Sequence, residues 1–326
     1  MNISLIRQAD GLQYNITNAV SKVEWSGSAS SAARQMTVDY INAPNDHFSI
    51  PGICTGDLVS FSPDGEEVFY GQFFGSEKSS AVGTISYTAC DMMKNMLESE
   101  VQYNFKNVTP EAVGKQVCDE MQIPVRFLYP TGVNIKTMLC DGMSPYDVIM
   151  AAYTKAHRIT GDRYFPMIYK RGFAVYKTEW AVAGFTLSDC DNIVESSIEE
   201  TMDSVVNCVK IYDGKGNQTG EVTDQESRSV YGTFQKVYKR EDGVDPAAAA
   251  GSLLHTKPSQ TIRIRSLGDR NCLSCYYVTL HDRATGLTGL YWISSDRHIW
   301  ENGIYTMELD LVFDSIMDTK ETDGEE

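Results

Sequence analysis

The chain has 326 residues, and its 28 Lys and Arg against 44 Asp and Glu give a formal charge of −16. A field of that sign repels nucleic-acid phosphates and anionic membranes, and so argues against either as a direct ligand. The length exceeds one small domain and fits two or three units, each burying its own core. There is no apolar run of about 18 residues, and Met1 to Asp10 lacks the basic, apolar, small-residue order of a secretory leader. The expectation is a cytosolic chain without a membrane anchor. Its eight cysteines (Cys54, Cys90, Cys118, Cys140, Cys190, Cys208, Cys272, Cys275) then read as reduced, buried small hydrophobes. Two uses fit the acidity: ordinary solubility, or the wall of a conduit through which a polyanion slides without sticking.

From Ile16 to about Cys90 short apolar and polar positions alternate, with turn clusters at Ala43-Pro44-Asn45-Asp46, Pro51-Gly52 and Ser62-Pro63-Asp64-Gly65. Between them lie Val23–Trp25, Arg34–Tyr40, Leu58–Phe61, Val68–Phe73 and Gly83–Ala89, at the spacing of hairpin-linked strands. These pieces suffice to close a small barrel. The pattern then changes. Thr109 before Pro110 supplies a cap and a first-turn proline, and Val113, Val117 and Met121 recur every fourth residue until Pro124. Ser144-Pro145-Tyr146-Asp147 predicts a second helix with a capping box, running to Thr160 and ended by Gly161. Tyr164–Lys170 and Phe173–Thr178 around Lys170-Arg171-Gly172 predict a hairpin.

From Ile193 strands return: Val205–Tyr212, a turn at Gly214-Lys215-Gly216-Asn217, then Thr261–Arg265, Tyr276–Leu280, Leu290–Ser294 and Tyr305–Phe313. The polar stretch Asp224 to Pro258 interrupts them, and its Asp245-Pro246 cap and Ala247–Ala250 run predict a helical insertion. The acidic tail from Asp318 is expected to fray. The fold class is thus β-rich α+β: two small β-barrel domains flanking a small α/β domain. The expected boundaries are 1–98, 99–192 and 193–318, with an insertion at 224–258 and an acidic tail at 319–326.

No residue is nominated as catalytic, cofactor-binding or metal-ligating. The five histidines (His47, His157, His255, His281, His298) sit in unrelated contexts, and no G-x-S-x-G elbow accompanies them. Neither a phosphate-binding P-loop nor a G-x-G-x-x-G fingerprint occurs, since Gly214-Lys215-Gly216 falls in a hairpin turn. Cys272-Leu273-Ser274-Cys275 has the spacing of half a zinc site without its second half, and reads as core in a strand. Among 44 acids, pairs such as Glu66 with Glu67 or Glu199 with Glu200 read as solvated surface. The 18 tyrosines, with Trp25, Trp180, Trp292 and Trp300, read as strand cores or subunit contacts, not as a stacking platform for single-stranded bases.

Three stretches, taken in order, carry a family resemblance. The first runs from Gly71-Gln72-Phe73 through Gly83-Thr84-Ile85-Ser86-Tyr87 to Asp91-Met92-Met93. The second is Asn207-Cys208-Val209-Lys210-Ile211-Tyr212-Asp213, and the third Thr285-Gly286-Leu287-Thr288-Gly289-Leu290-Tyr291 with Trp300-Glu301-Asn302-Gly303. Over roughly residues 10 to 320 the chain resembles baseplate hub proteins of contractile phage tails, the XkdQ/YqbQ-like group of the late control protein D superfamily. The resemblance implies two similar tube-like barrels in one chain, so that a homotrimer presents a pseudo-sixfold ring between a hexameric tail tube and a trimeric central spike. The implied partners are further copies of the chain, the tube or tube-initiator protein, the spike protein, other baseplate and LysM-like tail proteins and the tape measure protein, with no cofactor and no specific nucleic-acid binding. The implied place is the baseplate of a phage or phage-tail-like bacteriocin, made in the bacterial cytoplasm and released with the particle. Some members of the group are labelled hydrolases, and no residues here support that label. A tail-associated cell-wall-degrading hydrolase is the rival from another class, and a carbohydrate-binding module a third.

Overall fold

A computed structural model of the chain describes residues 1–41, 51–78, 83–240 and 245–322. The turn cluster at 43–46 and His47 lie outside the described residues. The described residues divide into two compact units: Met1–Ser196 together with residues 263–322, and Ser197–Ile262.

The first unit opens with β1 (Asn2–Ile6), β2 (Gln13–Asn15), β3 (Val20–Ser28), β4 (Ser31–Ile41), β5 (Leu58–Ser62), β6 (Phe69–Lys78), β7 (Thr84–Cys90) and α1 (Met93–Leu97). It continues with β8 (Val101–Val108), α2 (Pro110–Glu120), β9 (Val125–Leu128), β10 (Ile135–Met143), α3 (Pro145–Thr160), β11 (Tyr164–Tyr169), β12 (Gly172–Lys177) and β13 (Ala181–Ser188). After β14 (Ile193–Thr201) come β15 (Cys208–Tyr212), β16 (Gln218–Thr223), α4 (Gln225–Tyr231), β17 (Gln235–Lys239) and α5 (Pro246–Ser252). The chain closes with β18 (Ser259–Leu267), β19 (Tyr277–Asp282), β20 (Leu287–Glu301) and β21 (Ile304–Val312).

The local signals act as their chemistry dictates. The Thr109 hydroxyl accepts from the Ala112 amide at the start of α2, and the Ser144 hydroxyl from the Asp147 amide at 3.0 Å at the start of α3. Gly161 ends α3 in the left-handed conformation, φ 77°. Lys170 and Arg171, φ 47° and 61°, make the turn between β11 and β12, whose registration needs positive φ at both positions. In these middle elements β8 pairs with β10, and β12 pairs antiparallel with β11 and parallel with β9. Val113, Val117, Ile149, Met150 and Tyr153 from α2 and α3 bury against Phe105, Met138 and Phe173 of those strands.

A 13-stranded sheet has the order β14-β18-β21-β20-β3-β4-β7-β6-β5-β1-β2, with β13 and β19 branching from β20; β14 and β18 each carry residues of both units. Its two halves share one permutation. Numbered within the half, β1, β3, β4, β5, β6 and β7 lie side by side in the order second, third, sixth, fifth, fourth, first, and so do β13, β14, β18, β19, β20 and β21. The ladders agree as well. Gln72 of β6 faces Leu58 on β5 and Cys90 on β7, as Trp292 of β20 faces Tyr277 on β19 and Val312 on β21. Both ladders to the last strand then skip one residue at the matching place, Phe74 in β6 and Ser294 in β20. One difference is directional: β1 runs antiparallel to β5, whereas β13 runs parallel to β19.

In the first half Ala29 and Ser30 alone join the second and third strands, while in the second half the whole segment between β14 and β18 stands in that place. That segment has its own sheet, β16-β15-β17, and its own core of Val206, Val209, Ile211 and Ala250. Buried Asn207 pins it: its Oδ1 accepts from the Phe234 amide at 2.9 Å and its Nδ2 donates to the Gly232 carbonyl at 2.7 Å. The expected frayed tail is corrected over residues 318–322. The Tyr146 hydroxyl donates to Asp318 at 2.8 Å, and the Lys320 amide to Thr154 at 3.1 Å, so α3 holds this segment down.

Candidate functional site

β20 is 15 residues long and serves two partners on one side. Leu287–Trp292 pairs with β19; beyond the skipped residue, Ser295–Glu301 pairs antiparallel with β3, from Ser28 to Lys22. This joint welds the two six-strand sets into one sheet. The bulge at Ser294 turns the strand from one partner to the other, a recurrent use of an extra residue.

Polar side chains lock the joint from inside. Arg34 Nη1 donates to Asp296 Oδ1 at 2.9 Å, Nη2 bonds the other oxygen, and the Ser274 amide donates to Oδ1 at 2.6 Å. His298 Nε2 lies 3.3 Å from Asp296 Oδ2 and 3.1 Å from the Cys272 carbonyl, and its Nδ1 is 2.8 Å from the Tyr305 hydroxyl. Asp296 and His298 are fully enclosed. Burial pushes the Asp296 carboxyl up, but Arg34 and His298 outweigh it and hold the group well below the usual carboxylate range. Arg34 stacks over Trp25 at 4.2 Å, and Gly27 makes room for it: a Cβ there would stand 2.3 Å from the guanidinium. The Arg34 amide also donates to buried Asp91 at 3.3 Å, as does the Met93 amide at 3.0 Å. Burial dominates there and pushes the Asp91 carboxyl up to about 7.

An acid, a histidine and a phenol in a row could move protons, but the side chains of Asp296 and His298 have no exposed surface and Tyr305 is only partly exposed. Trp25 and Trp300 flank His298, and Trp300 stacks on Tyr305 at 4.3 Å. Its chemistry is that of a fastener. Cys272 and Cys275 are buried beside it, in the turn before β19 and not in a strand as expected; Cys275 has φ 74°. Burial pushes both thiols up, Cys275 to about 12, which makes them poor metal ligands and nucleophiles.

The other singled-out residues scatter. His157 bonds the Asp162 carbonyl, His255 bridges Val206 through its backbone, and His281 is exposed. Glu66 pairs with Arg270 at 3.0 Å and Glu67 with Arg171, both at the surface, and Glu200 accepts from Gln260 at 2.6 Å. Trp25 and Trp292 fill strand cores, whereas Trp180 is 44% exposed and stacks on Tyr276 at 6.0 Å along a shallow groove of about 670 Å³. Among the described residues no cluster of three or more His, Cys, Asp or Glu is placed to hold a metal ion, and no helix is long and apolar enough to cross a membrane.

The YQBQ-like family matches residues 23–312, a span that contains β3 from Val23 on, the whole of β20 and every residue of the fastener. The chain is 24% identical over 325 residues to YqbQ of Bacillus subtilis, covering 96% of each, and 23% identical over 271 residues to the XkdQ protein of the phage-like element PBSX in the same organism, covering 80% of this chain and 82% of that one. Its fold is similar to that of the 43 kDa tail protein of prophage MuSo2 from Shewanella oneidensis, with a TM-score of 0.73 at 15% identity, covering 96% of this chain and 98% of the other. With a match over most of its length, the chain belongs to the YQBQ-like family.

Proposed function

We propose that the chain is a structural subunit of a phage-type tail, the baseplate hub of a contractile particle. Three copies form a pseudo-sixfold ring that joins the hexameric tail tube to the trimeric central spike. One observation carries the reading: a single polypeptide contains two six-strand sets with the same permutation and the same bulged ladder. In this reading each set is a barrel, and two per chain let a threefold object offer six near-equivalent edges to a sixfold partner, which no single barrel repeated three times can do. The fold likeness to a prophage tail protein and the kinship with a protein of a phage-like element support the setting. The buried acid and histidine serve as a fastener in this reading, so the subunit acts through its surfaces and turns over no substrate.

Sedimentation of the purified chain, alone and with a candidate spike protein, tests this. The expected mass is three times 36.3 kDa, at the latest when the spike is present. A mass of one, two or four chains under every condition overturns the ring. A peptidoglycan digestion assay separates the hydrolase reading: turnover that survives repurification would favour it.

A further inference from the structure

We infer that the groove beside Trp180 binds an uncharged oligosaccharide, an equatorially linked chain of pyranose rings. The inference rests on the groove alone, so its failure would leave the ring proposed above untouched. Trp180 lies between β12 and β13 with 44% of its surface exposed, although indoles are highly buried on average. It is held there by other rings. It meets Tyr176 at 4.5 Å and lies parallel to Tyr276, within 2°, at 6.0 Å, and Tyr276 in turn stands edge-on to Phe165 at 5.9 Å. The Trp180 carbonyl accepts from the Tyr277 amide at 2.8 Å, which fixes the backbone as well. A platform ordered in advance costs little entropy when a ligand settles on it. A second exposed ring, Tyr169, lies along the same groove, and Glu179 and Asn271 supply its polar lining. Its volume of about 670 Å³ falls within the range of small-molecule sites, about 300–1,000 Å³.

The chemistry of the lining selects the ligand. Lys177 reaches Asp162 at 3.1 Å and Glu179 at 3.4 Å, and Lys170, over the Tyr169 ring at 5.4 Å, reaches Glu66 at 3.5 Å. Each of these bases has an acid beside it, so the groove offers little net field to an anion or a cation. The Asn271 Nδ2 donates to Asp269 at 2.9 Å, leaving its Oδ1 to accept. Both polar groups, the Glu179 carboxylate and this oxygen, therefore call for a ligand that donates. A pyranose with equatorial hydroxyls meets both demands. Its axial positions carry only C–H bonds, whose weakly positive hydrogens suit the negative face of an indole or phenol, and its rim carries the donors. A proline-rich segment also packs on aromatic grooves, but its prolines have no N–H to give the two acceptors.

The purified full-length chain is titrated with chitotriose and with cellotriose, followed by tryptophan fluorescence and by saturation transfer from protein to ligand protons. At least one of the two sugars should bind with a dissociation constant of about 0.1–1 mM, and the strongest transfer should reach its axial ring protons. Trp180→Ala should weaken binding about tenfold, and Trp180→Phe, which keeps a ring, about threefold. Glu179→Ala should weaken it about fivefold through the lost acceptor. The transfer experiment is made on the native chain and so depends on no variant folding. Three results each overturn the site: no binding of either sugar at about 10 mM, transfer that spares the axial protons, or undiminished binding by a folded Trp180→Ala chain. Trp180-dependent binding of decaproline that is tighter than that of either sugar overturns the ligand class.

Discussion

Replacing Arg34 with methionine removes the cation that neutralises Asp296 while keeping most of the aliphatic bulk. Asp296 is fully buried and Arg34 only 8% exposed, so the carboxylate keeps just the Ser274 amide at 2.6 Å and His298 at 3.3 Å. Removing one partner of a buried pair costs about 3–5 kcal/mol, chiefly because the remaining charge stays out of water. For a chain of this size each kcal/mol moves the melting temperature by about 2–4 °C, so the expected loss is about 6–20 °C. The sign of its pH dependence follows from the carboxyl. In the native chain the folded value is depressed, so the stabilisation from Asp296 is present above the unfolded value of about 3.9 and is lost only below it. In the variant burial is opposed only by the Ser274 amide and His298 and raises the folded value, so the penalty vanishes at low pH and grows as pH rises above about 4. Urea unfolding followed by the fluorescence of Trp25 and its neighbours, at pH 4.5 and 7.5, measures both. Arg34→Met with Asp296→Asn should recover at least half the loss, since no buried charge remains. A loss below about 1 kcal/mol, or one equal at the two pH values, refutes the fastener.

Asp91→Asn addresses the other buried acid. Its folded value, about 7 against 3.8, is raised, so the native chain holds this contribution below about pH 4 and loses it as pH rises to 7, at up to about 1.4 kcal/mol per pH unit. The variant should therefore gain on the native chain across that interval in melting experiments; a constant difference contradicts the assignment. Gly27→Ala forces its Cβ to within 2.3 Å of Arg34 and should cost about 1–3 kcal/mol in urea unfolding, most of it absent when combined with Arg34→Met. Ser144→Ala removes the 3.0 Å cap bond of α3 and should cost about 1 kcal/mol, read by the same unfolding measurement.

The elements with local signals were legible in the sequence. Ser144-Pro145 and Gly161 bracket α3 because capping and left-handed glycine are decided by neighbouring residues, and the strands β3 to β7 show through their alternation. β20 was read only at Leu290–Ser294, because Asp296 and His298 are buried polar residues that break the alternation, and their satisfaction by Arg34 comes from far along the chain. β14 carries no strand signal from Ile193, since Ile-Val-Glu-Ser-Ser-Ile-Glu-Glu-Thr, with three glutamates and no strict alternation, looks like solvated surface. The fastener was missed for the same reason as the repeated permutation: both are properties of non-local pairing. Gly71-Gln72-Phe73 and Tyr291-Trp292-Ile293 occupy matching places with no residue in common. An aspartate and a histidine two apart, amid a Trp-rich strand pattern, was the one available hint.

Electron cryo-microscopy of the chain bound to its spike candidate tests the duplicated-barrel account most directly. The account predicts three copies in which the set built from β1 and β3–β7 and the set built from β13, β14 and β18–β21 alternate around one axis, related by about a sixth of a turn. A particle whose two sets lie at different heights or radii, or in which only one of them encircles the axis, contradicts it.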